Sequence, residues 1–118
     1  MTFEDLEVYK KLKILNHEVF LTSLDFPALE KYELASQLRR AANSIPANIA
    51  ETFGNKHTNI YLEGISRAQG ELRETRHHLN TAHQRGYIDE NKIKDFISRY
   101  EECSKMLWGL ERSLNTNN

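Results

Sequence analysis

Cysteine, proline and glycine are all scarce here: one Cys, two Pro and five Gly among 118 residues. The lone Cys103 cannot close an intramolecular disulfide, which argues against a cross-linked secreted scaffold and for a reducing compartment, the cytoplasm. So few glycines and prolines leave few places to turn the chain, and no sustained alternation of apolar and polar residues marks a strand. Long hydrophobic runs are missing as well. Met1 to Lys13 mixes charged with apolar residues, unlike a leader, and nothing approaches the ~18 apolar residues of a membrane span. Charge of one sign is the last absence. Sixteen Lys and Arg stand against 17 Asp and Glu, a formal −1, which excludes a polybasic coat for nucleic acid or anionic lipid.

What is present fits one domain, residues 1–118, with one core. Gly54, Gly86 and the Asp25-Phe26-Pro27 segment divide the chain into four stretches of helical length. This predicts an all-α fold, an up-down antiparallel four-helix bundle. The first helix is expected over about Glu4 to Leu24, with Val8, Tyr9, Leu12, Leu15, Val19 and Phe20 inward. Ile14 and Leu21 form a smaller strip away from that face, either scattered surface hydrophobes or a subunit contact. The second helix is expected from just after Pro27 to about Phe53, burying Leu34, Leu38, Ala41, Ala42, Ile45, Ile49 and Phe53. Pro46 lies inside it, lacks an N–H and crowds the preceding turn, so the helix is expected to be kinked or broken there. Gln37, Arg40, Ser44, Asn48 and Glu51 line up beside the apolar arc. They form either a half-buried hydrogen-bond seam or a ligand or subunit surface.

The third helix is expected over about Thr58 to Arg85, with Tyr61, Leu62, Ile65, Ala68, Leu72, Leu79 and Ala82 inward and Gly86 as its left-handed cap. A second stripe of Ser66, Gly70, Arg73, His77, Asn80 and Gln84 places a small-residue notch at Gly70, where another backbone is expected to approach. Glu63, Arg67, Glu74 and His78 are assigned to the solvent face as i,i+4 pairs. The fourth helix starts near Asp89, its N-cap, and buries Ile93, Phe96, Ile97, Tyr100, Cys103, Leu107, Leu110 and Leu114. Trp108 sits at the edge of that arc, to finish the core or to anchor an interface, and Asn115 to Asn118 are expected to fray.

Chemistry has few footholds on these faces. Glu74-x-x-His77 has the spacing that supplies two ligands in di-iron bundles, but no second such pair occurs and His77 and His78 point to different sides. His17, His57 and His83 give no zinc-finger spacing, and Cys103 reads as a core thiol. Glycine-rich phosphate loops, nucleophile elbows and HExxH are all missing. Neither an enzyme nor a metal or other cofactor is expected. Charge, however, is uneven. Residues 1–35 carry four Lys against seven acids, whereas 36–88 carry seven basic residues, six of them Arg, against four acids. The two middle helices are therefore the basic part, with Arg39, Arg40, Arg67, Arg73 and Arg76 as candidate phosphate contacts.

The run Tyr32-Glu33-Leu34-Ala35-Ser36-Gln37-Leu38-Arg39-Arg40-Ala41-Ala42-Asn43-Ser44-Ile45-Pro46-Ala47-Asn48-Ile49-Ala50-Glu51 resembles the signature of the bacterial 23S rRNA intervening-sequence protein family. Phe3-x-x-Leu6, Pro27 with Glu30, Ala68-x-Gly70-x-Leu72-x-Glu74 and Gly86-Tyr87-Ile88 extend the similarity over nearly the whole chain. It departs from the family pattern at Glu51-Thr52, with glycine deferred to Gly54, and at Gly70-Glu71. The resemblance implies a four-helix bundle assembled into a ring, most often a homopentamer. A retroelement accessory variability protein, distantly similar, binds nucleic acid but is strongly basic. The resemblance marks Gln37, Ser44, Asn48 and Glu51 with Arg39 and Arg40 as characteristic positions, and makes Ile14, Leu21, Gly70 and Trp108 candidates for subunit seams. The expected function is a non-enzymatic oligomer that binds rRNA or another structured RNA, or a ribonucleoprotein, through the middle helices. The alternative is a structural oligomer that scaffolds a protein partner.

Overall fold

The computed structural model describes residues 1–116, the side chain of Thr116 excepted. Every regular element among them is helical: α1 (Glu7–Ser23), α2 (Leu34–Thr52), α3 (Thr58–Gln84) and α4 (Glu90–Thr116), with short 3-10 turns at Phe3–Asp5 and Ala28–Glu30. No helix of the described residues is long and apolar enough to cross a membrane.

Cross-helix pairs run in opposite numerical directions at three seams, which makes those neighbours antiparallel and α2 antiparallel to α3 in turn. Asn16 meets Asn43 and Ser23 meets Arg39 between α1 and α2. Between α3 and α4 the pairs are Gln69 with Ser104, Arg76 with Glu101 and His83 with Glu90. Lys11 with Glu102 and Glu18 with Arg99 join α4 back to α1. Each helix therefore packs on its two sequence or ring neighbours, and the apolar faces converge on one core that draws on all four.

Two helix starts lie later than the spacing predicts. Thr2 and Asp5 close a 3-10 turn, the Thr2 N–H donating to Asp5 Oδ2 at 2.8 Å, and extended Leu6 then precedes α1. After Pro27, bonds from Glu30 N–H to Pro27 O and Lys31 N–H to Ala28 O tighten the chain into a 3-10 turn. The backbone of Glu33 is non-helical, so α2 begins at Leu34. The break considered at Pro46 does not occur, since α2 runs unbroken from Leu34 to Thr52 with Pro46 buried inside it. The helix ends agree better. Gly86 adopts φ +80°, and bonds from Gly86 N–H to His83 O and Tyr87 N–H to Ala82 O form a Schellman closure of α3. Asp89 caps α4 by accepting from Lys92 N–H at 2.8 Å. Of the tail expected to fray, Asn115 and Thr116 still belong to α4, and Asn117 and Asn118 lie outside the described residues.

The helix faces are mostly as spaced, with corrections at eight positions. Phe20 is 43% exposed and Tyr9 only half-buried against Phe3, because both lie toward the edges of the α1 arc where the neighbouring helices no longer cover them. Ile97, Leu62, Phe53, Leu110 and Leu114 are half-buried at the rim of the core. His78 is buried instead of solvent-facing. It stands on the flank of α3 turned toward α2, the pair of helices in closest contact, while Glu74, whose Oε2 is 3.5 Å from His78 Nε2, remains in water.

The core keeps two polar atoms without partners: the hydroxyls of Tyr61 and Tyr100 are buried with no hydrogen bond to any described residue. Burial raises the pKa of both phenols. A buried hydroxyl without a partner costs about 1–3 kcal/mol of desolvation. Tyr100→Phe is therefore expected to raise stability by about 1 kcal/mol and the melting temperature by a few degrees in thermal denaturation. An unchanged or lowered midpoint would show that the hydroxyl is satisfied.

Candidate nucleic-acid interface

The five candidate arginines leave α2 and α3 in three directions. Arg39 turns into the groove between α1 and α2, where Nε donates to Ser23 Oγ at 2.7 Å and the guanidinium lies 5.6 Å from the Phe20 ring centroid. Arg76 turns to the opposite side, its Nη2 3.3 Å from Glu101 Oε1 on α4. Arg67, nine residues earlier and about 180° away around α3, is held by its own helix, Nη1 lying 3.7 Å from Glu63 Oε1. Arg40 and Arg73 are exposed, and neither makes an ion pair or side-chain hydrogen bond with a described residue. A single subunit thus leaves Arg40, Arg67 and Arg73 on the outer faces of α2 and α3 and carries Arg39 and Arg76 away into grooves.

The polar line of α2 turns largely on itself. Ser44 Oγ donates to Arg40 O, Asn48 Nδ2 to Ser44 O and Thr52 Oγ1 to Asn48 O, each four residues back and between 2.8 and 3.0 Å. Side chains that bond the carbonyls of their own helix are poorly placed to reach a ligand. Gln37 and Glu51, at the two ends of the line, remain exposed.

The close approach of backbones expected at Gly70 lies elsewhere within the chain. A Cβ on Gly70 would meet only Arg73 Nη2, at 3.8 Å, whereas one on Gly64 would fall 1.9 Å from Thr52 Oγ1. Gly64 is the contact point of α2 and α3, and the sequence offered no periodic signal for it beyond a glycine in mid-helix. Trp108, 59% exposed, does not finish the core; it stands in the groove between α3 and α4 beside Arg76, Glu101 and Arg112. Ile14 and Leu21 are 57% and 48% exposed on the outer flank of α1.

Three polar junctions escaped the sequence because their partners are distant in it. Gln69 and Ser104 exchange hydrogen bonds of 2.9 Å, Nε2 donating to Ser104 O and Ser104 Oγ donating to Gln69 Oε1. Arg99 grips both carboxylate oxygens of Glu18 and also bonds Asp95 on its own helix; the Arg99 guanidinium holds the Glu18 carboxyl below the usual range. Glu30 is buried, and its Oε2 accepts from Tyr87 OH at 2.8 Å and from Arg85 Nη1 at 2.7 Å. Those two donors keep its carboxyl below the ordinary carboxylate range against the opposing effect of burial.

Among the described residues no three His, Cys, Asp or Glu side chains gather as a metal site. Cys103 is fully buried, and burial pushes its thiol up to about 11. A thiol of that kind is a poor nucleophile at neutral pH.

With four antiparallel helices in place, comparison with known families is decisive: the model of the 23S rRNA-intervening sequence protein matches residues 4–109. The chain belongs to that family. The matched region takes in α1, α2, α3 and most of α4, including the proline-containing α2 and the Gly86 closure. None of the curated proteins matches the chain. Membership of the intervening-sequence protein family accords with the four-helix bundle.

Proposed function

We propose that this intervening-sequence family protein is a non-enzymatic, cytoplasmic homo-oligomer, a homopentamer, that binds RNA or a ribonucleoprotein through the outer faces of α2 and α3. The observation that carries the reading is the pair Arg40 and Arg73: two exposed guanidiniums, without acidic partners, on the two helices that hold the chain's basic excess. One copy offers a thin footprint. A ring would repeat it around the axis and turn two isolated charges into a band, while Trp108, Ile14 and Leu21 supply exposed apolar surface for the seams.

Structured RNA, titrated at two salt concentrations, tests the RNA reading. Saturable binding at low salt is expected to weaken steeply as salt rises, and Arg40→Ala with Arg73→Ala to weaken it by roughly tenfold. Absence of saturable binding, or an unchanged double variant, would overturn it. Light scattering that finds a monomer at micromolar concentration would overturn the ring.

The scaffolding alternative has one specific observation in its favour, the inward-bonded polar line of α2, which reads as register and helix integrity. It predicts oligomerisation without salt-sensitive RNA binding.

A further inference from the structure

Besides Arg40, three basic residues of the first two helices and the turn between them have no carboxylate partner, and these three line two adjoining cavities of one groove. On α1, Lys10 pairs with Glu7 and Lys11 with Glu102, but Lys13 makes no ion pair with a described residue. Neither does Lys31 or Arg39. Between α1 and α2, Lys13, Asn16, His17, Phe20, Arg39 and Asn43 enclose an open cavity of about 540 Å³. Arg39 is also a wall of the adjoining cavity, about 400 Å³, which reaches Leu24 and Lys31. No Asp or Glu lines either one.

The groove is organised by a strip that the spacing of α1 concealed. Lys13, His17, Phe20 and Leu24 follow steps of four, three and four, one line down a helix. The line opposes Arg39 and Asn43 of α2 and is about 16 Å long at the helical rise. Its centre is a pre-built stack. The His17 ring lies nearly parallel to Phe20, with centroids 6.4 Å apart and planes at 20°, and the Arg39 guanidinium stands 5.6 Å from the same ring. The bond from Arg39 Nε to Ser23 Oγ fixes that guanidinium and leaves its Nη groups unpaired. Asn16 and Asn43, joined at 3.2 Å, place an amide pair at the rim. At the far end the Lys31 ammonium lies 5.3 Å from the ring of Tyr32, which is 82% exposed.

An aromatic and a planar cation in the middle of a carboxylate-free groove, with ammonium groups at both ends, match the chemistry of unpaired bases on a phosphate backbone. Bases in a duplex are stacked and inaccessible to such a platform, which favours single strands over helical RNA. We infer that the α1/α2 groove binds single-stranded RNA, with a base stacked on Phe20 and Arg39 and flanking phosphates at Lys13 and Lys31. The inference rests on the nucleic-acid reading above and adds a second surface, distinct from Arg40 and Arg73, with its own substrate class.

A fluorescently labelled oligouridylate of about eight nucleotides, which has no structure of its own, is the probe, read by anisotropy at low salt beside a structured hairpin RNA. Lys13→Glu with Phe20→Leu changes two exposed side chains, and circular dichroism with thermal denaturation checks that the fold is intact. The double variant is expected to bind the oligouridylate at least roughly tenfold more weakly. Lys92→Glu, the same charge reversal on α4, is expected to remain within about twofold of wild type, allowing for the general field. Unchanged binding by the folded double variant overturns the groove. So does wild-type binding of the hairpin without binding of the oligouridylate, an outcome that leaves the α2/α3 surface standing. Equal competition by polyglutamate overturns it as a nucleotide site, since stacking would then contribute nothing. If wild type binds neither RNA, both proposals fall together.

Discussion

Gly64→Val is expected to lower stability by about 3 kcal/mol, read as a shifted midpoint in urea denaturation with little change in slope. The first added atom is already too many. A Cβ at Gly64 would lie 1.9 Å from Thr52 Oγ1 and 2.7 Å from both Thr52 Cβ and Cγ2. Thr52 has nowhere convenient to go: it is buried, β-branched, and bonded through Oγ1 to Asn48 O at 3.0 Å. Relief must come from separating α2 and α3, the most closely packed helices of the bundle. Helix propensity alone would predict the opposite sign, since Gly is worse than Ala by about 1 kcal/mol in a helix interior. Combining Thr52→Gly with Gly64→Ala removes the colliding side chain and is expected to recover much of the loss of Gly64→Ala alone, giving a favourable coupling in a double-mutant cycle. A neutral Gly64→Val would mean that the two helices do not approach here. Gly70 supplies the contrast, because its nearest neighbour to an added Cβ is Arg73 Nη2 at 3.8 Å. Substituting it touches nothing within the subunit.

Phe96→Ala is expected to cost about 3–5 kcal/mol in the same measurement, whereas Phe20→Ala should change stability by no more than about 1 kcal/mol. The two phenylalanines look alike in sequence, both falling on the apolar spacing of a helix. Phe96 is 1% exposed among residues of all four helices, and deleting its ring leaves a cavity that close-packed neighbours fill only in part. Phe20 is 43% exposed at the edge of a groove, where water takes the place of the ring. Comparable losses at both positions would put Phe20 back in the core.

That contrast marks where the sequence stops being informative. Periodicity identified the four helices and the centres of their buried arcs, because residues such as Leu12, Leu38, Leu72 and Leu107 face the axis whatever surrounds them. Gly86 and Asp89 were legible as helix ends because a left-handed closure and a side-chain cap are local structures. Arc edges are different. Whether Phe20 is wet or His78 dry depends on which neighbouring helix lies closer on that side, and one helix's spacing does not contain that distance. The candidate site shows the same boundary. Composition located the arginines in α2 and α3, but their directions are set by partners elsewhere: Ser23 and Phe20 for Arg39, Glu101 for Arg76. The strip of Lys13, His17, Phe20 and Leu24 was present in the spacing all along, masked because Phe20 counted as core.

The bond pattern of Glu30 makes the two ends of the bundle mechanically unlike. Its carboxylate ties the α1–α2 connection to Arg85 and Tyr87 in the α3–α4 connection, so the two loops at that pole are clasped across the bundle. At the other pole, the α2–α3 connection holds itself with short-range bonds: Asn55 N–H to Thr52 O, His57 N–H to Asn55 Oδ1 and Ile60 N–H to His57 O. Thermal opening is accordingly expected to start at the pole without such a clasp, near Gly54, with faster amide hydrogen exchange there than around Glu30, as in a tied sheaf that splays from its loose end.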